Sequence, residues 1–194
     1  MVDTSGMTQP FLPLLDTDSA RQAAAEAGLP EVFAQVNLFR ATLHHAPMAQ
    51  IVSDVVSSIV MHSVLDARTR EVAILRVGWR IGSVYEWSNH VPIARRAGMS
   101  DDEIAAVRDD EPSDSRLTAA DRCAIAVVDE VLDGVVVSAA TLASARSLLG
   151  DDRAVLELLM IPGLYRTIGT VLLSVGVPLE EHVEPWAPDG VAAG

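Results

Sequence analysis

Along most of the chain, apolar residues return every three or four positions, the period of helices that bury one face. Patterning starts near Ser19 and pauses at Gly28-Leu29-Pro30. Residues 31–46 form an amphipathic stretch with Val32, Val36, Phe39 and Leu43 on one face, and Pro47 suits the first turn of a helix reaching about Ser63. Asp66 is placed to cap a helix over 67–81, Gly82 marks a turn, and a further helix follows from Ser83 to about Ala97, closed by Gly98. Ser100-Asp-Asp-Glu103 is a capping box for a short helix over 101–108. Residues 109–116 read as the clearest loop, with a place for a boundary between two helical halves but no clear internal repeat. Thr118-Ala-Ala-Asp121 opens a helix to about Asp133, Ser138 opens one to about Leu149, and 151–175 form the last, with a bend expected at Pro162-Gly163. Val135-Val-Val137 is the one β-like run. The pattern predicts an all-α domain of seven or eight helices over 21–178, an N-terminal arm at 1–20 and an extended Pro-rich tail at 179–194.

Composition narrows the partners. Half the chain, 49%, is hydrophobic and the mean hydropathy is +0.28, as for a folded domain with a full core. No uninterrupted apolar run reaches the roughly 18 residues of a membrane span. The N-terminus is acidic and polar, unlike a secretory leader, so a cytoplasmic location is the expectation. A net charge of −13 disfavours nucleic acid and anionic membranes as partners. All 14 basic residues are Arg, which removes lysine Schiff-base chemistry and the phosphate-loop lysine. The one cysteine, Cys123, allows neither an internal disulfide nor a cysteine zinc cluster, and its apolar setting reads as core. Arg without Lys, with abundant Ala, Val and Asp, is the composition of a GC-rich bacterial genome.

Three residues carry the candidate chemistry. Glu71 lies on a helix that is apolar nearly all round (Val72, Ala73, Ile74, Leu75, Val77, Trp79, Ile81), so it sits in or beside the core. Burial there raises a carboxyl pKa toward the range of a general acid or base; the plainer reading is an ion pair with Arg68, Arg70 or Arg76. Glu86 and His90 are four residues apart on one helix face, a usable acid–base pair. Against that, Ser83-x-x-Glu86 is itself a capping-box pattern, and Glu86 could serve only as a cap. Glu86, His90 and Glu71 could also ligate a metal, although no multi-His motif supports it and none is expected. Tyr85 and Trp87 read first as packing residues. In the His44-His45 pair one imidazole could face a pocket or sit at a helix C-terminus; His62 and His182 carry no pattern.

The stretch from Leu65 through Glu71, Ser83, Glu86 and His90 to Glu103 closely resembles the carboxymuconolactone decarboxylase family, which includes the AhpD-like alkyl hydroperoxidases. The resemblance runs over about 35–178 and takes in Asn37–Pro47 and Leu164–Pro178. It implies an AhpD-like all-α fold and homo-oligomers, trimers or hexamers before dimers. The family's peroxidase branch uses a Glu, a Cys-x-x-Cys pair and a His; here those positions are Glu71, Ser83 and Glu86 in place of the cysteines, and His90. A serine and a glutamate cannot form a sulfenate and resolve it. The lactone decarboxylase branch also lacks the cysteines, carries Glu four residues before the His and needs no cofactor.

The resemblance implies a cofactor-independent acid–base enzyme that decarboxylates, isomerises or eliminates on a small carbonyl or lactone compound. In that reading His90 moves the proton, Glu86 orients it and Glu71 is a second buried carboxyl. Ser83 or Tyr85 binds a substrate oxygen, His45 faces the pocket, and Arg80 or Arg166 holds a substrate carboxylate. The alternative is a non-catalytic oligomer of the same fold that binds a small molecule or a protein.

Overall fold

A computed structural model of the chain describes residues 10–109 and 115–194. The central part of the 109–116 loop and the first nine residues of the N-terminal arm lie outside them. Among the described residues there are nine α-helices and no strand: α1 Thr17–Glu26, α2 Asn37–Thr42, α3 Ala46–Val56, α4 Ala67–Arg80, α5 Val84–Arg96, α6 Asp101–Ala106, α7 Ala119–Gly134, α8 Ala139–Leu149 and α9 Asp152–Val175. The count exceeds seven or eight because each stretch of helical pattern, the short α2 and the expected α6 included, forms a helix of its own.

Local chemistry sets most boundaries. Asp66 accepts from the amides of Arg68 and Thr69 and starts α4. Ser100 with Glu103 and Thr118 with Asp121 form complete capping boxes at α6 and α7. Gly150 and Gly176 end α8 and α9 in the left-handed conformation, at φ of 67° and 69°. The 31–46 stretch is where periodicity misleads. It holds a 3₁₀ turn over Glu31–Gln35, an extended Val36 and then α2, so Val32 is exposed while Phe39 and Leu43 are buried. Beyond α3, residues Ser57–Met61 continue as a π-helical turn.

The core is organised around α4, whose residues 69–78 are all buried. It forms a hairpin with α5, closed by Gly82 at φ +68°, and packs against α7 and α9. One core cluster joins residues on both sides of the 109–116 loop, including Val72, Trp87, Ile104, Ile125, Leu158 and Tyr165. The buried Arg76 is paired bidentately with Asp129, at 2.8 Å for each bond, and also donates to the carbonyls of Val107, Arg108 and Asp109. Arg68 bridges Glu103 (2.7 Å) and Asp121 (2.8 Å), the two capping-box acids, and so ties α4 to α6 and α7.

Helix α9 runs unbroken through Pro162. By length and composition it could cross a membrane, although Glu157 and Arg166 interrupt its apolar run. Its Ala154, Leu158, Ile161, Tyr165, Ile168 and Leu172 are instead buried within the protein.

The tail is not simply extended: it folds back along α4 and α5. Glu180 accepts from the Tyr85 hydroxyl (2.6 Å) and the Asn37 amide (2.9 Å). Trp87 donates its indole N–H to the Ala187 carbonyl (2.5 Å), and the Trp186 amide donates to Ser88 Oγ (2.9 Å). Arg108 lies over both Trp79 and Trp87 and donates from one nitrogen, Nη1, to both carboxylate oxygens of Asp189.

The α4–α5 hairpin depends on Gly78. A Cβ there would lie 3.0 Å from the Trp87 backbone nitrogen and 3.2 Å from Glu86 Cβ. The obstacle is backbone, so Gly78→Ala is expected to push α5 off α4 and destabilise by about 1–3 kcal/mol, read as a lower urea midpoint.

Candidate active site

Glu71 sits at mid-helix on α4 and has no solvent exposure. Glu86 and His90 are one turn apart on α5, facing α4, and are 4% and 9% exposed. The three converge because the hairpin lays the apolar face of α5 on α4 and carries these polar groups inward with it.

The ionised Glu71 is an acceptor, so the His90 Nδ1–H donates to its Oε2 across 2.7 Å. The other oxygen, Oε1, accepts from Arg70 Nε at 3.0 Å, so Arg70 is the ion-pair partner, while Arg68 and Arg76 are engaged elsewhere. Burial pushes the Glu71 carboxyl up, but His90 and Arg70 together hold it below its ordinary value. Burial likewise pulls the His90 imidazole down, but the charge and hydrogen bond of Glu71 and the charge of Glu86 together raise its pKa.

With Nδ1 committed, His90 presents Nε2 to Glu86, whose Oε2 is 3.9 Å away, beyond a hydrogen bond. Glu86 Oε1 is buried with no hydrogen-bond partner. Burial drives this carboxyl up to about 7, against the opposing pull of His90. The expectation that Glu86 orients His90 is therefore corrected: Glu71 does. The capping reading is corrected too. Ser83 Oγ accepts from the Glu86 amide (3.3 Å), but the Ser83 amide bonds to the Gly78 carbonyl, so the Glu86 side chain has no cap to make. Glu103 and Asp121, at the same position in their helices, both reach back.

Tyr165 of α9, absent from the sequence reading, completes the site. It is 3% exposed, and its ring meets the His90 ring edge to face with centroids 5.4 Å apart. Burial, then the charges of Glu86 and Glu71, push its hydroxyl well above the ordinary value, so it stays a neutral donor. In sequence it is one aromatic on the stripe Leu158, Ile161, Tyr165, Ile168, which reads as core.

Several expected members lie elsewhere. Tyr85 accepts from the Leu38 amide and donates to Glu180, and Ser83 is fully buried as a cap. Exposed His45 stands at the start of α3. Arg80 pairs with Asp129 (2.5 Å) and Asp133 (2.6 Å) and lines a separate pocket with Arg166. The rule that a carboxylate substrate needs a nearby Arg misplaces both, because acids on α7 hold Arg80 and Arg166 lies on the exposed side of α9. Glu71 and Glu86 approach opposite ring nitrogens of His90, so the three do not converge on one point as metal ligands would.

The comparisons agree with this framework. The carboxymuconolactone decarboxylase family model matches residues 47–130, which contain Glu71, Glu86 and His90. The match is to this segment, less than half of the chain. The whole fold is also similar to a crystal structure from Ralstonia eutropha described as an alkylhydroperoxidase AhpD core, an uncharacterized peroxidase-related protein. The TM-score is 0.71 over 91% of this chain and 95% of that one, at 13% identity, so the likeness is one of AhpD-like fold. No curated protein matches the chain in sequence.

Proposed function

We propose that the chain is a cofactor-independent acid–base enzyme that decarboxylates, isomerises or eliminates on a small carbonyl or lactone compound. One observation carries this reading: a buried, unpartnered carboxyl with a pKa near 7 faces the free nitrogen of a histidine whose other nitrogen is held by a second carboxylate. An orphaned carboxyl is costly to keep in a core, and groups held at such values cluster where protons are transferred. In the mechanism, Glu71 fixes the His90 tautomer and stabilises its charged form. Nε2 exchanges a proton with a substrate carbon or oxygen. Glu86, near half-protonated at neutral pH, takes or returns the second proton, and a substrate carbonyl holds the released electrons as an enol.

Thiol peroxidase chemistry does not fit this arrangement. Ser83 and Glu86 hold the positions that would need thiols, and burial raises the Cys123 thiol pKa. We also propose a homo-oligomer. An apolar groove of about 680 Å³ lies between α7, α8 and α9 beside Val135 and Val136, which are 81% and 80% exposed; sedimentation equilibrium reports the state.

The test is solvent-deuterium incorporation together with carbon dioxide release over a panel of lactones and β-keto acids. Activity on some member, lost in Glu86→Gln and His90→Ala, is the expected result. Full activity in both folded variants would sink the acid–base reading.

A further inference from the structure

Tyr165 of α9 carries a hydroxyl that the fold does not use. The residue is 3% exposed and belongs to the core cluster with Val72, Trp87 and Leu158, yet it makes no hydrogen bond among the described residues. A buried tyrosine ordinarily finds a partner for its hydroxyl, because an unpaired one costs stability. Its neighbours on the buried face of α9 are Leu158, Ile161, Ile168 and Leu172, and a phenylalanine would fill the same space without that penalty. The hydroxyl calls for a reason other than packing.

The surroundings supply one. The Tyr165 ring stands edge to face with the His90 ring, at 76° with centroids 5.4 Å apart. The charges of Glu86 and Glu71 both act on its hydroxyl, and that of Arg70 opposes them, so the hydroxyl lies in the field of the same centre. Three helices meet at His90: α4 with Glu71, α5 with Glu86 and α9 with Tyr165. The centre is not sealed. The His90 side chain keeps 11% of its surface and Glu86 6%, against none for Glu71 behind them.

Proton transfer next to a carbonyl needs a donor on the carbonyl oxygen. As the bond at the neighbouring carbon breaks, its electron pair runs to that oxygen as an enolate, and a fixed donor there is among the largest contributions to such a reaction. The polar groups of α5 around the centre are spent. Tyr85 donates to Glu180, the Trp87 indole donates to Ala187, and Ser83 and Ser88 accept backbone amides. His90 holds Glu71 with Nδ1 and moves the proton with Nε2. Tyr165 keeps its proton, because burial and the two carboxylates hold it on, so it can donate without being consumed. The charges also fit. With Glu86 protonated, Arg70 and a protonated His90 carry two positive charges against one negative on Glu71. An enolate oxygen cancels that surplus.

We propose that Tyr165 is a third catalytic residue of this centre, whose hydroxyl donates a hydrogen bond to the substrate's carbonyl oxygen and holds it as the enolate forms. The substrate is then a small ketone, β-keto acid or lactone whose carbonyl adjoins the carbon at which the proton moves. The step balances. The C–H bond, or in decarboxylation the bond to the departing carbon dioxide, breaks and leaves its electron pair as the enolate. His90 Nε2 takes or gives the proton at carbon, and Tyr165 keeps its own. The inference rests on the acid–base reading of His90 and Glu86.

Tyr165→Phe in the full chain removes the hydroxyl alone. Since the hydroxyl has no partner in the fold, the urea midpoint is expected to stay or rise. On a panel member that the wild type turns over, kcat is expected to fall about 10²- to 10³-fold, the usual effect of losing one oxyanion donor, with KM changed far less. A second probe needs no turnover. The anion of para-nitrophenol presents a negative oxygen like that of an enolate. The wild type is expected to bind it as the coloured anion at about pH 6, where Glu86, with its pKa of about 7, is mainly neutral. Tyr165→Phe should bind it about tenfold or more weaker, the loss of one hydrogen bond to a charged group.

A lowered urea midpoint in Tyr165→Phe overturns the proposal, because the hydroxyl would then serve the fold. So does an unchanged kcat, an unchanged affinity for the nitrophenol anion, or no anion binding by the wild type. The two readings fail separately. Turnover lost in Glu86→Gln and His90→Ala but kept in Tyr165→Phe overturns the role of Tyr165 and leaves the acid–base pair. Turnover kept in those two variants but lost in Tyr165→Phe overturns the pair and leaves Tyr165 as the contact to the substrate oxygen. Where no panel member reacts, anion binding that weakens in Tyr165→Phe upholds the proposal, and its absence overturns it.

Discussion

Glu86→Gln is expected to abolish proton-transfer activity while making the protein more stable at neutral and alkaline pH. The activity loss is about 10²- to 10⁴-fold, the usual contribution of a positioned acid–base group. The stability gain has a definite sign. Glu86 has its folded pKa raised from 4.5 to about 7. Its favourable contribution is therefore complete below 4.5 and is lost as pH rises through about 7, because ionising it leaves an unpaired buried charge. The full penalty is on the order of 3 kcal/mol. Gln is neutral at every pH and has nearly the same shape. The variant should match the wild type near pH 4.5, exceed it increasingly up to about pH 7, and hold that advantage above. Urea unfolding at three pH values measures this. A residue kept for packing would show the reverse, with stability lost and activity unaffected. Gain of one with loss of the other is the signature of a destabilised active site.

Glu71→Ala should be among the most damaging substitutions to stability, at about 3–5 kcal/mol, since it removes the shared partner of two buried bases and leaves the Arg70 charge uncompensated. The pH dependence is again specific. Glu71 is held low, so its contribution is present above the ordinary carboxylate value of 4.5 and lost as pH falls through the folded value. His90 is raised, so its contribution is present below 6.5 and lost as pH rises through the folded value. The pair stabilises most between those limits, and Glu71→Ala should cost most there. Glu71→Gln, which keeps an acceptor for His90 or Arg70, should recover part of the stability. Denaturation midpoints across pH check both variants. A loss independent of pH would mean that Glu71 acts through packing alone.

These expectations join features of very different sequence range. The helix starts are local. Asp66, Ser100, Thr118, Ser138 and Asp151 each cap a helix with a side chain that reaches only two or three residues, and the caps are readable for that reason. The membership of Glu71, Glu86 and His90 in one site is legible for a similar reason: two share a helix face, and the third lies across a single tight turn. The 31–46 stretch was not, because Val36 leaves the helical region and resets the phase.

Roles within the site depend on contacts between elements. A spacing of four cannot say which nitrogen of His90 meets Glu71 and which meets Glu86, since that follows from how α5 rolls on α4 around Gly78. Tyr165 arrives from α9, the partners of Arg80 from α7, and those of Tyr85 from the tail. An apolar stripe says that a helix is buried but not what it is buried against, so long-range partners and unpartnered groups emerge only from packing. The same tyrosine that reads as one more core residue in the chain is, once folded, a wall of the site. Glu86 shows the division most sharply. Its i, i+4 relation to His90 and its place after a capping serine are written in the chain; the missing partner that sets its pKa belongs to the assembled core.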